Sequence, residues 1–204
     1  PELTIDLPPF LTAYTGMDAL AHSLEAYCSP FFHPLSQGIA LEGINIVHKY
    51  LLRAFRNGKD IEARSNMLTA SSMGSTAFQK GLGAIHSLSH PVGAIYNTHH
   101  GLTNGVFMPY VLLKNKSAIE DKIIALSRYI NLPKNSFDSF MNWILDLKKE
   151  LGIPHTLKEL IKDDSKFEEM SEMALNDPST ACNPIKFNKN DFLQLYRDTY
   201  NGIL

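Results

Sequence analysis

Four of the chain's eight histidines, His86, His90, His99 and His100, fall within one 15-residue window broken by glycines. His86 and His90 are four residues apart. On a helix their rings leave one face a turn apart, a spacing that places two imidazoles on a metal, or one on a metal and one on its substrate. Asp18 and His22 repeat that offset earlier in the chain. A carboxylate and an imidazole from one helix, meeting further imidazoles from another, would form an oxygen and nitrogen donor set suited to zinc or ferrous iron. Two plainer readings stand beside this one. An Asp/His pair at i, i+4 is more often a surface or capping contact, and clustered histidines can be hydrogen-bonded, partly buried rings. His33, His48 and His155 lack such company and read as structural or solvent-facing. Cys28 and Cys182 have no close partner and read as small core hydrophobes.

The elements that must position these groups read as helices. Pro8-Pro9 marks an irregular lead-in over 1–15, after which Thr15 caps a helix to about Cys28. Pro30 and Pro34 stop it and start the next, which carries Leu35, Ile39, Leu41, Ile44, Val47, Leu51 and Leu52 towards Asn57-Gly58. Asp60 caps a third helix from Ile61 to about Lys80. The stretch Gly81 to Gly101, interrupted by Gly83, Pro91 and Gly93, predicts a short helix from Ile85 to His90, a bend, and a loop into another helix. Ser117 to Glu120, Thr156 to Glu159 and Ser165 to Glu168 fit capping boxes and predict three helix starts. Ser136 caps a helix through Trp143 and Leu147 to Gly152, and Asn183-Pro184 lies in a loop before a last helix bearing Phe192, Leu195 and Tyr196. No convincing alternating strand appears. The expected fold class is mostly α.

Composition limits the alternatives. Of 204 residues 44% are hydrophobic and 20% charged, with 19 Lys+Arg against 21 Asp+Glu, so the chain can bury a core and is not a disordered type. A net charge of −2 gives no broad footprint for nucleic acid, and no apolar run approaches the roughly 18 residues of a membrane span. A soluble, cytoplasmic protein is expected. Pro1-Glu2-Leu3 has neither an initiator Met nor a signal-peptide pattern, which predicts a longer protein upstream.

Two long motifs then carry a resemblance. Leu11 to Tyr27 (LTAYTGMDALAHSLEAY) and Gly81 to Ala94 (GLGAIHSLSHPVGA), with the later His100-Gly101, resemble the iron-containing (group III) alcohol dehydrogenase family. The likeness extends through Glu62-Ala63-Arg64 to Phe78, Met108-Pro109, and the loop from Asp177 through Thr180 to Asn183-Pro184. It implies a helical, bundle-like C-terminal domain over 16–204, the metal-binding and catalytic half of a two-domain enzyme. The metal ligands implied are Asp18, His22, His86 and His100, holding Fe2+ in preference to Zn2+. His90 is implied to lie near nicotinamide and substrate as a catalytic group, and Leu11 to touch the cofactor. The implied reaction interconverts a small alcohol with its aldehyde or ketone, using NAD or NADP bound mainly by an N-terminal α/β nucleotide-binding domain.

That domain is not in this chain: Gly81-Leu82-Gly83 follows a helix and cannot serve as its phosphate loop. His99 stands where the family usually has proline, and is expected to bond behind the metal ligands or face solvent. Ile185 stands where arginine is frequent. The partners expected are the substrate and the chain's own nucleotide-binding domain, with homo-oligomerisation open. The competing class is a stand-alone helical metalloprotein, either a metal-dependent hydrolase or a metal-binding module.

Overall fold

The Pro8-Pro9 pair starts a helix instead of closing a lead-in. Helix α1 spans Pro9–Cys28, with Pro8 at the cap and Pro9 in the first turn, where a missing N–H removes only a donor that lacks an intrahelical partner anyway. Thr15 therefore sits inside α1, bonding the Leu11 carbonyl at 2.8 Å, and caps nothing. The irregular segment is shorter than expected and contains one 3-10 turn, Glu2–Thr4.

The computed structural model describes residues 1–204 as eight α-helices and four 3-10 turns, without strands. Helix α2 spans Pro34–Arg56 and α3 Ile61–Ala77; His33 and Asp60 cap them through Ser36 N and Ala63 N. Helix α4 spans Ala84–Tyr96 and α5 His100–Tyr129. Helix α6 spans Phe137–Glu150, capped by Ser136 as expected; α7 spans Phe167–Leu175 and α8 Lys189–Asn201.

Helix α1 is the hub. It packs against α2, α3 and α5, and is buried on most of its circumference by Ala13, Met17, Leu20, Ala21, Leu24 and Ala26. A helix with so wide an apolar surface belongs in an interior. Its small residues let neighbours come close: a Cβ on Gly74 of α3 would lie 3.1 Å from the His22 Cβ. The last carbonyls of α1, left without helical partners, are gathered by Lys122 Nζ, at 3.0 Å from Cys28 O and 2.8 Å from Ser29 O, and by Lys80 Nζ at 3.1 Å from Tyr27 O. Cations at a helix C-terminus also complement its dipole.

Three expectations are corrected. Helix α4 continues through Pro91 to Tyr96, because Ile85, Leu88, Pro91 and Val92 are all buried and their packing offsets the lost backbone bond. Ser117 to Glu120 lies inside α5, whose buried face runs on through Ile119, Ile123 and Leu126, so that pattern starts no helix. At Ser165 the amide and hydroxyl are taken by Asp163 Oδ1, a local turn that competes with capping, and α7 begins two residues later. Thr156 to Glu159 does form a capping box, but on the 3-10 turn Leu157–Glu159.

Lys148 of α6 is 2% exposed and its Nζ meets one acceptor, the Val106 carbonyl at 3.3 Å. Burial pushes its pKa down to about 7. The unfolded chain holds this proton up to the ordinary lysine range, so the penalty is full below pH 7 and fades as pH rises towards about 10. Lys148→Met should therefore raise stability at pH 6 by on the order of a few kcal/mol and flatten the pH dependence between 7 and 10. Urea unfolding across that range checks it; a variant no more stable at pH 6 than the parent would contradict the burial argument.

Candidate metal centre

On α1, Asp18, His22 and Glu25 fall at offsets of four and three residues and so share one face. Opposite them α4 begins without a side-chain cap of its own at Gly83. Distant residues cap it: Ile85 N donates to Glu25 Oε1 at 2.6 Å, and Ala84 N to Asn183 Oδ1 at 3.2 Å. The other Glu25 oxygen accepts from His86 Nδ1 at 2.6 Å. Since a carboxylate only accepts, His86 carries its proton on Nδ1 and turns an unprotonated Nε2 inward. Asn183 is fixed in turn by a reciprocal pair of 2.9 Å bonds with Asn115 of α5.

Helix α5 brings the third component. A Cβ on Gly101 would collide with the Tyr14 carbonyl and lie 3.0 Å from the Asp18 Cβ, so only glycine lets this helix start against α1. His100, one residue before, is thereby held over Asp18.

Asp18 Oδ1 lies 3.3 Å from His100 Nε2 and 3.9 Å from His86 Nε2. The ligating atoms of Asp18, His86 and His100 all lie within 4.8 Å of one another. Donors about 2.1 Å from one tetrahedral ion are roughly 3.4 Å apart, so the three, grouped on this scale, form a candidate site for a single divalent cation. His22 stands beside this set, its ring 4.4 Å from that of His86 and its Nδ1 3.6 Å from Asp18 Oδ1. That Nδ1 donates to the Asp18 carbonyl at 2.9 Å, which leaves Nε2 with a free lone pair.

The charges are balanced against burial. Desolvation would raise the Asp18 pKa, but the adjacent His100, His22 and His86 rings outweigh it and hold the carboxyl below its usual range. Burial and the adjacent His86 push His22 down. For His86, burial is more than reversed by Glu25, as charge and as acceptor, and the ring lies above its usual value. One carboxylate facing ring nitrogens attracts a cation and leaves it with surplus positive charge.

Residues 12–200 match the model of the Fe-containing alcohol dehydrogenase family, C-terminal part. The chain belongs to this family. It is 39% identical to a 4-hydroxybutyrate dehydrogenase of Cupriavidus necator over 204 residues, covering 96% of this chain and 53% of that protein. A crystal structure of 1,3-propanediol oxidoreductase superposes with a TM-score of 0.93 at 32% identity, covering 98% of this chain and 54% of that one. A sulfoacetaldehyde reductase from Bifidobacterium kashiwanohense, solved with NAD+, superposes with a TM-score of 0.88 at 28% identity, covering 98% and 52%. The chain thus spans about half the length of these alcohol dehydrogenase relatives.

Within this family domain, sequence reasoning and structure meet unevenly. Asp18, His86 and His100 converge; His22 adjoins them through His86. His90 lies beside His100, 43% exposed, its ring stacked 5.3 Å from that of His100 and its Nδ1 donating to Asp177 Oδ2 at 2.7 Å. Burial would raise Asp177, but bonds from His90 and Ser179 hold it below the usual carboxylate range. Leu11 is two turns before Asp18 on the same side of α1, half-buried. His99 is exposed against Tyr14, their rings 5.1 Å apart. His33 is a helix cap, His48 packs on Trp143 and His155 on Tyr110, structural roles as expected. Both cysteines are free, and burial pushes the Cys28 thiol up to about 12. The loop holding Ile185 acts through the neutral amide of Asn183, so an arginine there is not needed for its contacts.

Glu25, Asn104 and Asp177 join the site through contacts that the clustered histidines do not announce. Glu25 and Asn104 had a legible signal, lying three residues after His22 and four after His100.

Removing the Glu25 carboxylate leaves Ile85 N–H and His86 Nδ1–H buried without partners. Glu25→Ala should cost roughly 2 to 4 kcal/mol in urea unfolding of the metal-free protein, and Glu25→Gln, which keeps an acceptor for Ile85, should recover part of that. A Glu25→Ala protein within about 0.5 kcal/mol of the parent would show that the carboxylate does not hold the two helices together.

Proposed function

We propose that this chain is the metal-binding half of an NAD(P)-dependent alcohol dehydrogenase, interconverting a small alcohol and its aldehyde or ketone. The observation that carries this reading is the convergence of Asp18, His86 and His100 donor atoms within 4.8 Å, on the family's helical scaffold. Asp18, His22, His86 and His100 would hold one divalent ion, Fe2+ in preference to Zn2+. That ion, when bound, supplies Lewis acidity to the substrate oxygen.

The chain's own residues define the rest. Asp18 contributes the one negative charge, and Glu25 keeps His86 in the tautomer whose Nε2 faces the centre. His90, anchored through Nδ1 to Asp177, keeps Nε2 available at the exposed mouth, where it accepts the proton of the substrate hydroxyl and passes it to solvent. Hydride transfer needs nicotinamide and substrate carbon about 3 to 3.5 Å apart. No phosphate-binding strand–turn–helix exists among these helices, so the nicotinamide would be held by the N-terminal nucleotide-binding domain. Leu11, on the Asp18 side of α1, would approach it.

The test pairs two variants in the enzyme that includes its nucleotide-binding domain. His86→Ala should lose most of its bound metal. His90→Ala should keep its metal while kcat falls by about 10² to 10⁴ and the pH profile changes. The 204 residues alone should form no reduced nicotinamide from primary alcohols or diols with NAD or NADP. Metal loss in His90→Ala, full metal retention in His86→Ala, or turnover by the isolated chain within about tenfold of the whole enzyme would each overturn an assignment here.

A further inference from the structure

Asp177 caps the 3-10 turn Pro178–Cys182, just after α7, and its two carboxylate oxygens are used separately. Oδ1 accepts from the Ser179 backbone N–H at 2.8 Å, and Oδ2 from His90 Nδ1 at 2.7 Å. The turn is tied down on both sides. Its Thr180 hydroxyl lies 2.6 Å from the Ala174 carbonyl of α7 and 2.8 Å from Ser87 Oγ, three residues before His90 on α4. The Asp177 side chain is 12% exposed against 43% for His90, so the carboxylate is the better enclosed partner and the ring the freer one.

We propose that Asp177 is a positioning residue for the reaction, fixing His90 in the tautomer with its proton on Nδ1 so that Nε2 keeps the lone pair that takes the substrate's proton. This rests on the proton-accepting role of His90 under the proposed function and names what makes that role available.

Capping alone does not account for the residue. A cap for the Ser179 N–H needs one acceptor oxygen, which asparagine supplies as well as aspartate. A carboxylate adds a second acceptor, and here that oxygen meets His90. A neutral imidazole has one N–H and one lone pair; facing an atom that can only accept, it must turn its N–H there. The ring's other neighbours are the His100 ring, stacked at 5.3 Å, and the His86 ring, edge-on at 5.8 Å. Those contacts restrict where the imidazole lies without choosing which nitrogen carries the proton.

An exchange of one oxygen for NH2 separates the two roles. In Asp177→Asn the amide oxygen would stay on Ser179, because the peptide N–H there can only donate, and the NH2 would face His90. Two donors cannot meet. The imidazole can move its proton where the peptide cannot, so the ring would change to the Nε2–H tautomer and lose its acceptor on the substrate side. Side-chain size, cap and ring position are all kept.

The test uses the enzyme that includes its nucleotide-binding domain, with 15N-labelled histidine rings, stripped of metal by chelation and read by two-bond 15N–1H correlation at about pH 8, above the ordinary histidine range. The His90 signals are assigned by their disappearance in His90→Ala. Wild type should carry the His90 proton on Nδ1, and Asp177→Asn should carry it on Nε2. Loaded with metal, Asp177→Asn should keep wild-type metal content and an alcohol KM within about threefold, while kcat falls by about 10²-fold or more. A wild-type His90 proton on Nε2 would overturn the proposal, even where Asp177→Asn fails to fold. So would a kcat lowered with the tautomer unchanged, or lowered together with metal content, since either assigns Asp177 a merely structural role. A slow His90→Ala beside a fully active Asp177→Asn would overturn this proposal alone. Undiminished turnover in His90→Ala would remove the proton-acceptor reading and this proposal with it.

Discussion

A single buried carboxylate, that of Glu25, sets the geometry from which the centre follows. One of its oxygens ends the unpaired first turn of α4, and the other fixes the His86 ring. Because Glu25 belongs to the same face of α1 as Asp18 and His22, the helix that carries the Asp18 carboxylate also aims the imidazole that opposes it. A buried carboxylate without partners would be costly to hold in the interior. Here it meets a helix N-terminus, where the exposed amides and the dipole favour negative charge, together with a ring N–H. Stability and ligand orientation are supplied by the same two hydrogen bonds.

The third helix is placed by a steric rule. Gly101 lets the start of α5 rest on the Tyr14 carbonyl, and His100 and Asn104, one turn apart, then reach Asp18 from the other side. Buried parts of the fold behind the centre answer their own unpaired groups in similar fashion: Lys80 and Lys122 close the end of α1, Asn183 joins α4 to α5, and the Tyr196 hydroxyl ties α8 to the Leu88 carbonyl at 2.8 Å. The deep side is therefore rigidly bonded, whereas the outer side carries the half-exposed His90 on its Asp177 anchor.

Much of this was legible in the residues. The i, i+4 pairs Asp18/His22 and His86/His90 marked the two helix faces, and Pro34, Asp60 and Ser136 marked helix starts where the chain has them. What sequence missed has physical causes. Pro8-Pro9 and Pro91 look like breaks, but the first sits where helices tolerate proline and the second is compensated by burial on either side. Ser117 to Glu120 has the letters of a capping box, which act only where amides are unpaired. Glu25, Asn104 and Asp177 act through partners 61, 86 and 87 residues away in the chain, so the helical spacing that sets the first two beside His22 and His100 does not display what they bond. His22 illustrates the converse: its spacing matched the ligand pattern, yet the compact donor set comprises Asp18, His86 and His100 with His22 at its edge.

In the proposed site Asp18, His100 and the Glu25-oriented His86 share one ion. Anomalous diffraction at the iron edge, from crystals grown anaerobically with Fe2+, tests it most directly. The expected result is a single peak bonded to Asp18 and to Nε2 of both His86 and His100, with His86 Nδ1 still donating to Glu25. A peak elsewhere, no peak, or a His86 ring turned to bind through Nδ1 would contradict it.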